Sequence, residues 1–256
     1  MSVRTQLPSG LVTFLFTDIE GSTRLAQRLG AEYRRVLHEH RRILRETLTP
    51  DGVELFTEGD SFFFAFADAS VALTRCADAQ RALTGWAEGH ERARVRMGLH
   101  TGWATPQGGE YASAEVHRAA RIAGAAHGGQ VLCSLATARL ADRLPDEVWL
   151  LDLGLFRLRG FDGREQLYQL VAPGLERAFP RPRTAAAPHN LPAPVTSFVG
   201  RRRERDRLAD LLAEHRLVTV AGPGGAGKTR LAVTVAGDQV EVYRDGVWFL
   251  DLAAIT

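Results

Sequence analysis

The chain has 256 residues, 45% of them hydrophobic and 24% charged, and a formal net charge of +2. This is ordinary soluble-protein composition with room for one or two domains, and it carries no basic excess from which nucleic-acid affinity could be argued. No apolar run reaches membrane-spanning length, the N-terminus lacks the apolar core of a signal peptide, and Cys76 and Cys133 form no ligand-spaced cluster, so a cytoplasmic protein without a membrane partner is expected.

After a short tail (residues 1–10), an apolar run of strand length begins at Leu11 and ends at Asp18; Ile19, Glu20, Gly21, Ser22 and Thr23 follow before a helical pattern starts. Such a stretch is a buried strand that delivers a carboxylate to its end. The carboxylate suits a hard divalent cation, and the free amides of the helix behind it suit a phosphate. Taken alone, the same residues would more readily be an N-cap after a core strand.

Apolar residues recur at helical spacing from Leu25 to Leu48, with a break expected at Gly30. His38 and His40 on this helix are read as surface residues. Asp51-Gly52 makes a turn, and Val53–Thr57 and Asp60–Phe66 form a β-hairpin with Gly59 in its tight turn. Ala69 to Trp86 is a second amphipathic helix, and Arg94 to Thr105 a long alternating strand. The order strand, helix, hairpin, helix, strand predicts an α+β, ferredoxin-like βαββαβ core, an antiparallel sheet with helices on one face. Its first and third strands are neighbours, which brings Asp18 and Asp60 together. Two converging carboxylates repel unless a cation lies between them, so a two-metal site is the economical explanation.

Phe16-Thr-Asp-Ile-Glu-Gly-Ser-Thr23, the Gly59-Asp60 hairpin, Val95-Arg-Met-Gly-Leu-His-Thr-Gly102 and Val116-His-Arg-Ala-Ala-Arg121 occur in that order. Together they resemble the catalytic domain of class III nucleotide cyclases, across residues 11–172. The resemblance implies that Asp18 and Asp60, with the Ile19 carbonyl, hold two Mg2+ or Mn2+ ions per site. It implies that Gly21, Ser22 and Thr23 lie against the phosphates, that Arg121 faces the charge growing on the α-phosphate, and that Arg159 binds the triphosphate. Three positions depart from the adenylyl cyclase pattern: Phe56 stands where a purine-reading Lys is usual, Glu110 where its partner Asp is usual, and His117 where an Asn orients the ribose. The family also implies a head-to-tail homodimer in which the acids of one chain face Arg121, His117 and Glu110 of the other. The expected reaction converts a nucleoside triphosphate, ATP favoured, to a 3′,5′-cyclic nucleotide. The competing reading is a degenerate regulatory module that binds nucleotide or dimerises without turnover.

Gln130–Cys133 and Trp149–Leu153 read as short strands around a small helix, and Leu155–Leu170 as a closing hairpin. Residues 173–197 are a Pro/Ala-rich linker; six of the chain's eleven prolines fall between 173 and 194. Beyond it, a helix is expected from Arg203 to Glu214 and a strand over Leu217-Val-Thr-Val-Ala221. Gly222-Pro-Gly-Gly-Ala-Gly-Lys-Thr229 then matches the phosphate-binding loop pattern. The backbone at Gly222, Gly224, Gly225 and Gly227 would cradle phosphates, Lys228 would meet the outer ones, and Thr229 would ligate magnesium. Lys228 is the only lysine in the chain, which fits a position where a compact ammonium matters. Residues 198–256 resemble the opening of an NB-ARC-like signal-transduction ATPase, as in LuxR-type regulators. Val247-Trp-Phe-Leu-Asp251 is read as a structural strand rather than a Walker B acid. The segment is expected to be a truncated α/β domain, with no direct DNA binding.

Overall fold

In the computed structural model of the chain, residues 7–86, 93–158, 161, 163–183, 190–192, 200–240, 243 and 246–252 are described. The chain divides into two compact units, residues 1–184 and 185–256. In the first, seven strands form one sheet in the order β2-β3-β1-β4-β5-β7-β6. All pairings are antiparallel except that of β4 with β5.

β1 (Gly10–Ile19) lies between β3 (Ser61–Phe66) and β4 (Val95–Ala104), and Val12, Phe14 and Leu15 are wholly buried. Burial on both faces is why this stretch reads as a continuous apolar run instead of an alternation. α1 (Ser22–Leu29) and α2 (Tyr33–Leu48) are separated by a single 3-10 turn over Gly30–Glu32. Gly30 takes φ +54°, a conformation costly to other residues, and so places the expected break. β2 (Gly52–Glu58) turns back into β3 through Gly59, at φ +60°.

One face of the sheet carries Leu15, Ile19, Phe62, Phe64, Phe66, Met97 and Leu99. These pack against Val36, Ile43 and Leu44 of α2 and against Leu73 and Cys76 of α3 (Ala69–Trp86). Each such side chain contributes roughly 1.5–3 kcal/mol by leaving water. His40 also lies on this inner side: it is fully buried, its ring edge-on to Phe62, so reading it as a surface residue is corrected, whereas His38 is exposed. Two residues apart on a helix, they point about 200° apart, and the stripe through Val36, Ile43 and Leu44 claims the second.

The helices of the βαββαβ portion thus cover one face, as its topology requires. α4 (Ala114–Ala125), which follows, takes the other face over Val12, Phe14, Phe63 and Ala65. Its start is capped by the Ser113 hydroxyl, which accepts from the Glu115 amide. β5 (Val131–Ser134), α5 (Leu135–Leu140), β6 (Trp149–Phe156) and β7 (Glu165–Val171) complete the unit. β6 is longer than the short strand expected over Trp149–Leu153. A register shift between Asp152 and Gly154 lets it continue to Phe156 as one arm of the closing hairpin.

Residues 173–183, expected as the start of the linker, belong to the first unit and are tied to it by polar contacts: the Arg183 amide donates to the Ala125 carbonyl, Arg183 pairs with Glu20, and Glu176 pairs with Arg94. In the second unit, α6 (Arg202–Glu214) and α7 (Lys228–Asp238) pack through Leu208, Leu231 and Val235, flanked by Val218 and Val220. The strand expected over Leu217–Ala221 is not formed, because no neighbouring strand pairs with it among the described residues.

Candidate active site

Strand register builds the site. β1 and β3 run antiparallel with Thr17 opposite Phe62, so the end of β1 meets the turn that opens β3. Asp60 sits in that turn, and its Oδ2 accepts the Ile19 amide at 2.9 Å, which draws the carboxylate to the residue following Asp18. The hairpin is braced from α2: Arg41 donates from Nε and Nη2 to the Gly59 carbonyl at 3.2 and 2.5 Å.

On its other side β1 pairs with β4, with Asp18 directly opposite Arg96. Arg96 grips the Asp18 carboxylate with both arms, Nε to Oδ1 and Nη2 to Oδ2, the latter at 2.7 Å. The hydrogen bond to Asp18 holds the Arg96 guanidinium above its ordinary range against partial burial, and the charges of Asp18, Glu20 and Asp60 add to the shift. Both side chains are largely covered, Arg96 being 22% and Asp18 18% exposed, so the pair is less screened than a surface one. Sequence reasoning passed over Arg96. Its signal was an arginine inside the apolar strand Val95–Gly102, and only the antiparallel register opposite β1 reveals its partner.

Two carboxylates and a nearby backbone carbonyl make an all-oxygen donor set, which fits Mg2+ or Mn2+ rather than a soft metal. Among the described residues there is no cluster of three or more His, Cys, Asp or Glu side chains able to hold a metal ion. A cation at Asp18 and Asp60 therefore needs oxygens from backbone, water or substrate phosphates to complete its shell, which is how Mg2+ is usually held.

The other expected residues fall in three places. Gly21 caps α1 in the left-handed conformation, φ +67°, and Ser22 and Thr23 open the helix without a side-chain cap, so no side chain takes up its first amides. His117 and Arg121, one turn apart, occupy the exposed side of α4 and form no hydrogen bond or ion pair among the described residues, to the carboxylates or otherwise. Glu110 is exposed in the loop before α4, where Gln107 and Glu110 exchange backbone hydrogen bonds. Phe56 on β2 is 48% exposed and lies flat on Phe63, centroids 5.4 Å apart at 13°, and Phe63 in turn stacks on Phe14 at 5.8 Å. Arg159 lies outside the described residues.

In the second unit Lys228 is the first residue of α7, followed by Thr229, and its Nζ donates to the Pro223 carbonyl at 2.9 Å. Gly225 and Gly227 take φ +74°, and Gly222 takes φ +158°. Only residues without Cβ accept the two φ +74° positions readily, which is why glycines recur in this turn around Gly224.

Residues 5–172 match the family model of the adenylate and guanylate cyclase catalytic domain. The chain is 40% identical over 202 residues to the uncharacterized protein Rv0891c of Mycobacterium tuberculosis, covering 76% of this chain and 68% of that protein. It is 35% identical over 157 residues to an adenylate cyclase of Mycosarcoma maydis, covering 50% of this chain and 6% of that one. Among solved structures, an adenylate cyclase of Trypanosoma brucei analysed in its monomeric state is 27% identical with a TM-score of 0.59, over 72% of this chain and 98% of that one. The adenylyl cyclase CyaB of P. aeruginosa shares the fold, with a TM-score of 0.54 and 24% identity over 63% and 94% of the two chains.

Proposed function

The chain belongs to the adenylate and guanylate cyclase catalytic-domain family, and on that premise we propose that it converts a nucleoside triphosphate, ATP favoured, to its 3′,5′-cyclic nucleotide and pyrophosphate. The observation that carries this reading is the meeting of Asp18 and Asp60 at the end of β1, fixed by the Ile19 amide on one and Arg96 on the other.

In this reading Asp18, Asp60 and the Ile19 carbonyl would hold the Mg2+ or Mn2+ ions. Bound there, such ions supply positive charge that favours the ribose 3′-alkoxide and the departing pyrophosphate. The bond formed joins the 3′-oxygen to the α-phosphorus, and the bond broken joins the α-phosphorus to the bridging oxygen of the pyrophosphate. The 3′-hydroxyl proton leaves to solvent. Arg96, whose guanidinium already lies over the carboxylates, would turn its fork to phosphate oxygens once Asp18 faces a cation. The open amides of Gly21, Ser22 and Thr23 receive a phosphate at the start of α1. Arg121 stabilises the charge that develops on the α-phosphate, and His117 donates to the ribose. Phe56 offers a flat apolar face to the base, and Glu110 an acceptor for an exocyclic amino group, which a purine supplies.

His117 and Arg121 point outward, and neither is paired with the acids of its own chain. This supports a site completed by a second copy placed head to tail. A second reading is favoured by Phe56: a ring that cannot donate a hydrogen bond to a purine suits a module that binds nucleotide without efficient turnover. Purified protein with Mn2+ and each nucleoside triphosphate, the products read by mass, decides between them. A cyclic nucleotide formed in proportion to enzyme supports the cyclase; bound but unreacted triphosphate supports the regulatory module.

A further inference from the structure

The face of β4 that meets α4 presents Gly98, His100 and Gly102, three residues at strand period two. A Cβ at Gly98 would lie 2.0 Å from the Ala123 amide nitrogen and 2.7 Å from the Ala119 carbonyl, and one at Gly102 would lie 2.6 Å from Glu115 Cγ. The backbone of α4 therefore rests directly on the strand. The side of the helix that it uses is built from Ala119, Ile122 and Ala123, so few large side chains interlock to stop it rotating or sliding.

Polar pins stand where such knobs are lacking. His100 is 5% exposed and carries a partner on each ring nitrogen: Nε2 meets Glu115 Oε2 in the first turn of α4, and Nδ1 lies 2.8 Å from Ser134 Oγ at the end of β5. A neutral ring donating from Nε2 and accepting at Nδ1 satisfies both contacts. The chain of contacts continues inward from Ser134 to Thr137 at 3.3 Å, Thr101 at 3.0 Å and Thr13 at 2.8 Å, which roots the pair in β1 and α5. One turn further along α4, Arg118 pairs with Glu165 of β7.

At 3.6 residues per turn, Arg121 points about 120° and His117 about 160° away from Glu115, so the turn that Glu115 fixes also sets where both are presented. We propose that His100 and Glu115 are positioning residues for the cyclase reaction, holding the register and rotation of α4 on the glycine-lined face of β4 and so aiming Arg121. This rests on the role assigned to Arg121 above. The pair touches no substrate; it acts through the helix.

The test uses the full chain with Mn2+-ATP and the variants Glu115→Ala, Glu115→Gln, Arg121→Ala and the double Glu115→Ala/Arg121→Ala. A misplaced transition-state donor lowers kcat without weakening ground-state binding: Glu115→Ala should lose about tenfold or more in kcat while KM and Mn2+ affinity stay within about twofold. Glu115→Gln keeps an acceptor for His100 and should restore most of the rate. On the Arg121→Ala background, removing Glu115 should cost far less than it does in the parent, the remainder being what a misplaced His117 loses, because Glu115 acts chiefly through Arg121. Parental kcat in Glu115→Ala, or a double variant as slow as the product of the two single losses, overturns the proposal. Parental kcat in Arg121→Ala removes the assigned role of Arg121, and this inference with it. If Glu115→Ala melts below the assay temperature, Gly102→Ala, whose new methyl displaces the same carboxylate, takes its place with the same expected split.

Discussion

His40 should account for a distinct share of the acid sensitivity of the cyclase unit. Its ring is fully buried beside Phe62, neither nitrogen has a hydrogen-bond partner, and burial, reinforced by the neighbouring Arg41 charge, pushes its pKa down from 6.5 to about 4. The folded-state value is depressed, so between pH 6.5 and 4 the unfolded chain takes up a proton that the folded chain refuses, and stability falls as pH falls through that window. At 1.36 kcal/mol per pH unit the full penalty is about 3 kcal/mol, and about 2 kcal/mol of it is already present at pH 5. A domain of marginal stability notices that loss. Urea unfolding at pH 7 and pH 5, read through amide exchange of β1 and β3 so that this unit is followed by itself, measures the drop. His40→Leu should remove about 2 kcal/mol of it, since carboxylates that titrate in the same range contribute equally to both proteins and cancel in the comparison. Equal losses in parent and variant would refute the assignment of the acid sensitivity to His40.

Asp18→Ala and Asp60→Ala should each abolish Mn2+-dependent turnover, and Asp18→Ala should also lower the melting temperature because it leaves the half-buried Arg96 without its partner; turnover surviving in either variant removes the two-metal reading. Arg96→Ala frees Asp18 of a charged, two-pronged hydrogen bond worth roughly 1.5–3 kcal/mol, so Mn2+ binding without nucleotide, followed by electron paramagnetic resonance, should tighten about tenfold or more. Arg121→Ala should cost about 3 kcal/mol in the barrier, roughly a hundredfold in rate. Mixed with Asp60→Ala it should recover activity through one intact site per heterodimer, and proven heterodimers that stay inactive sink the shared site. The second unit, in which no strand forms before the glycine-rich turn among the described residues, should hold a phosphate at most weakly and hydrolyse no ATP, and ATPase activity that disappears in Lys228→Ala would contradict this.

The approach of Asp18 and Asp60 was legible because it depends on chain order alone. A strand, a helix and a hairpin in sequence place the third strand beside the first, and Asp18 and Asp60 stand at the two ends that meet. Glycines marked the breaks: Gly30 and Gly59 sit where their positive φ is required. Residues whose role depends on three-dimensional register were hidden. Arg96 is one arginine among many until β4 lies against β1 with Asp18 opposite it. His40 reads as a surface residue beside His38, because spacing two apart says that the pair diverge, not which of them turns inward. The expected strand at Leu217–Ala221 failed for a related reason: an apolar run becomes a strand only when another backbone takes up its hydrogen bonds.

The site also divides by the kind of energy each part uses. Charges at the phosphate end are fixed by backbone register: Asp60 by an amide, Asp18 by Arg96, and the hairpin itself by Arg41 on the Gly59 carbonyl. At the base end the wall is a stack, Phe56 on Phe63 on Phe14, whose outer ring is open. Stacking is worth about 1–3 kcal/mol per base and differs little between purines, because every base has a π face. Discrimination needs hydrogen bonds that the wrong base leaves unpaired. Here the only polar group assigned to the base is Glu110, exposed on a loop where water can take the place of a missing partner. On the proposed reading, the phosphate end of the site is therefore firm and the base end loose. On that reading, a strong metal dependence with only a shallow base preference follows from the division, and it sets this site apart from one in which a lysine reads the purine.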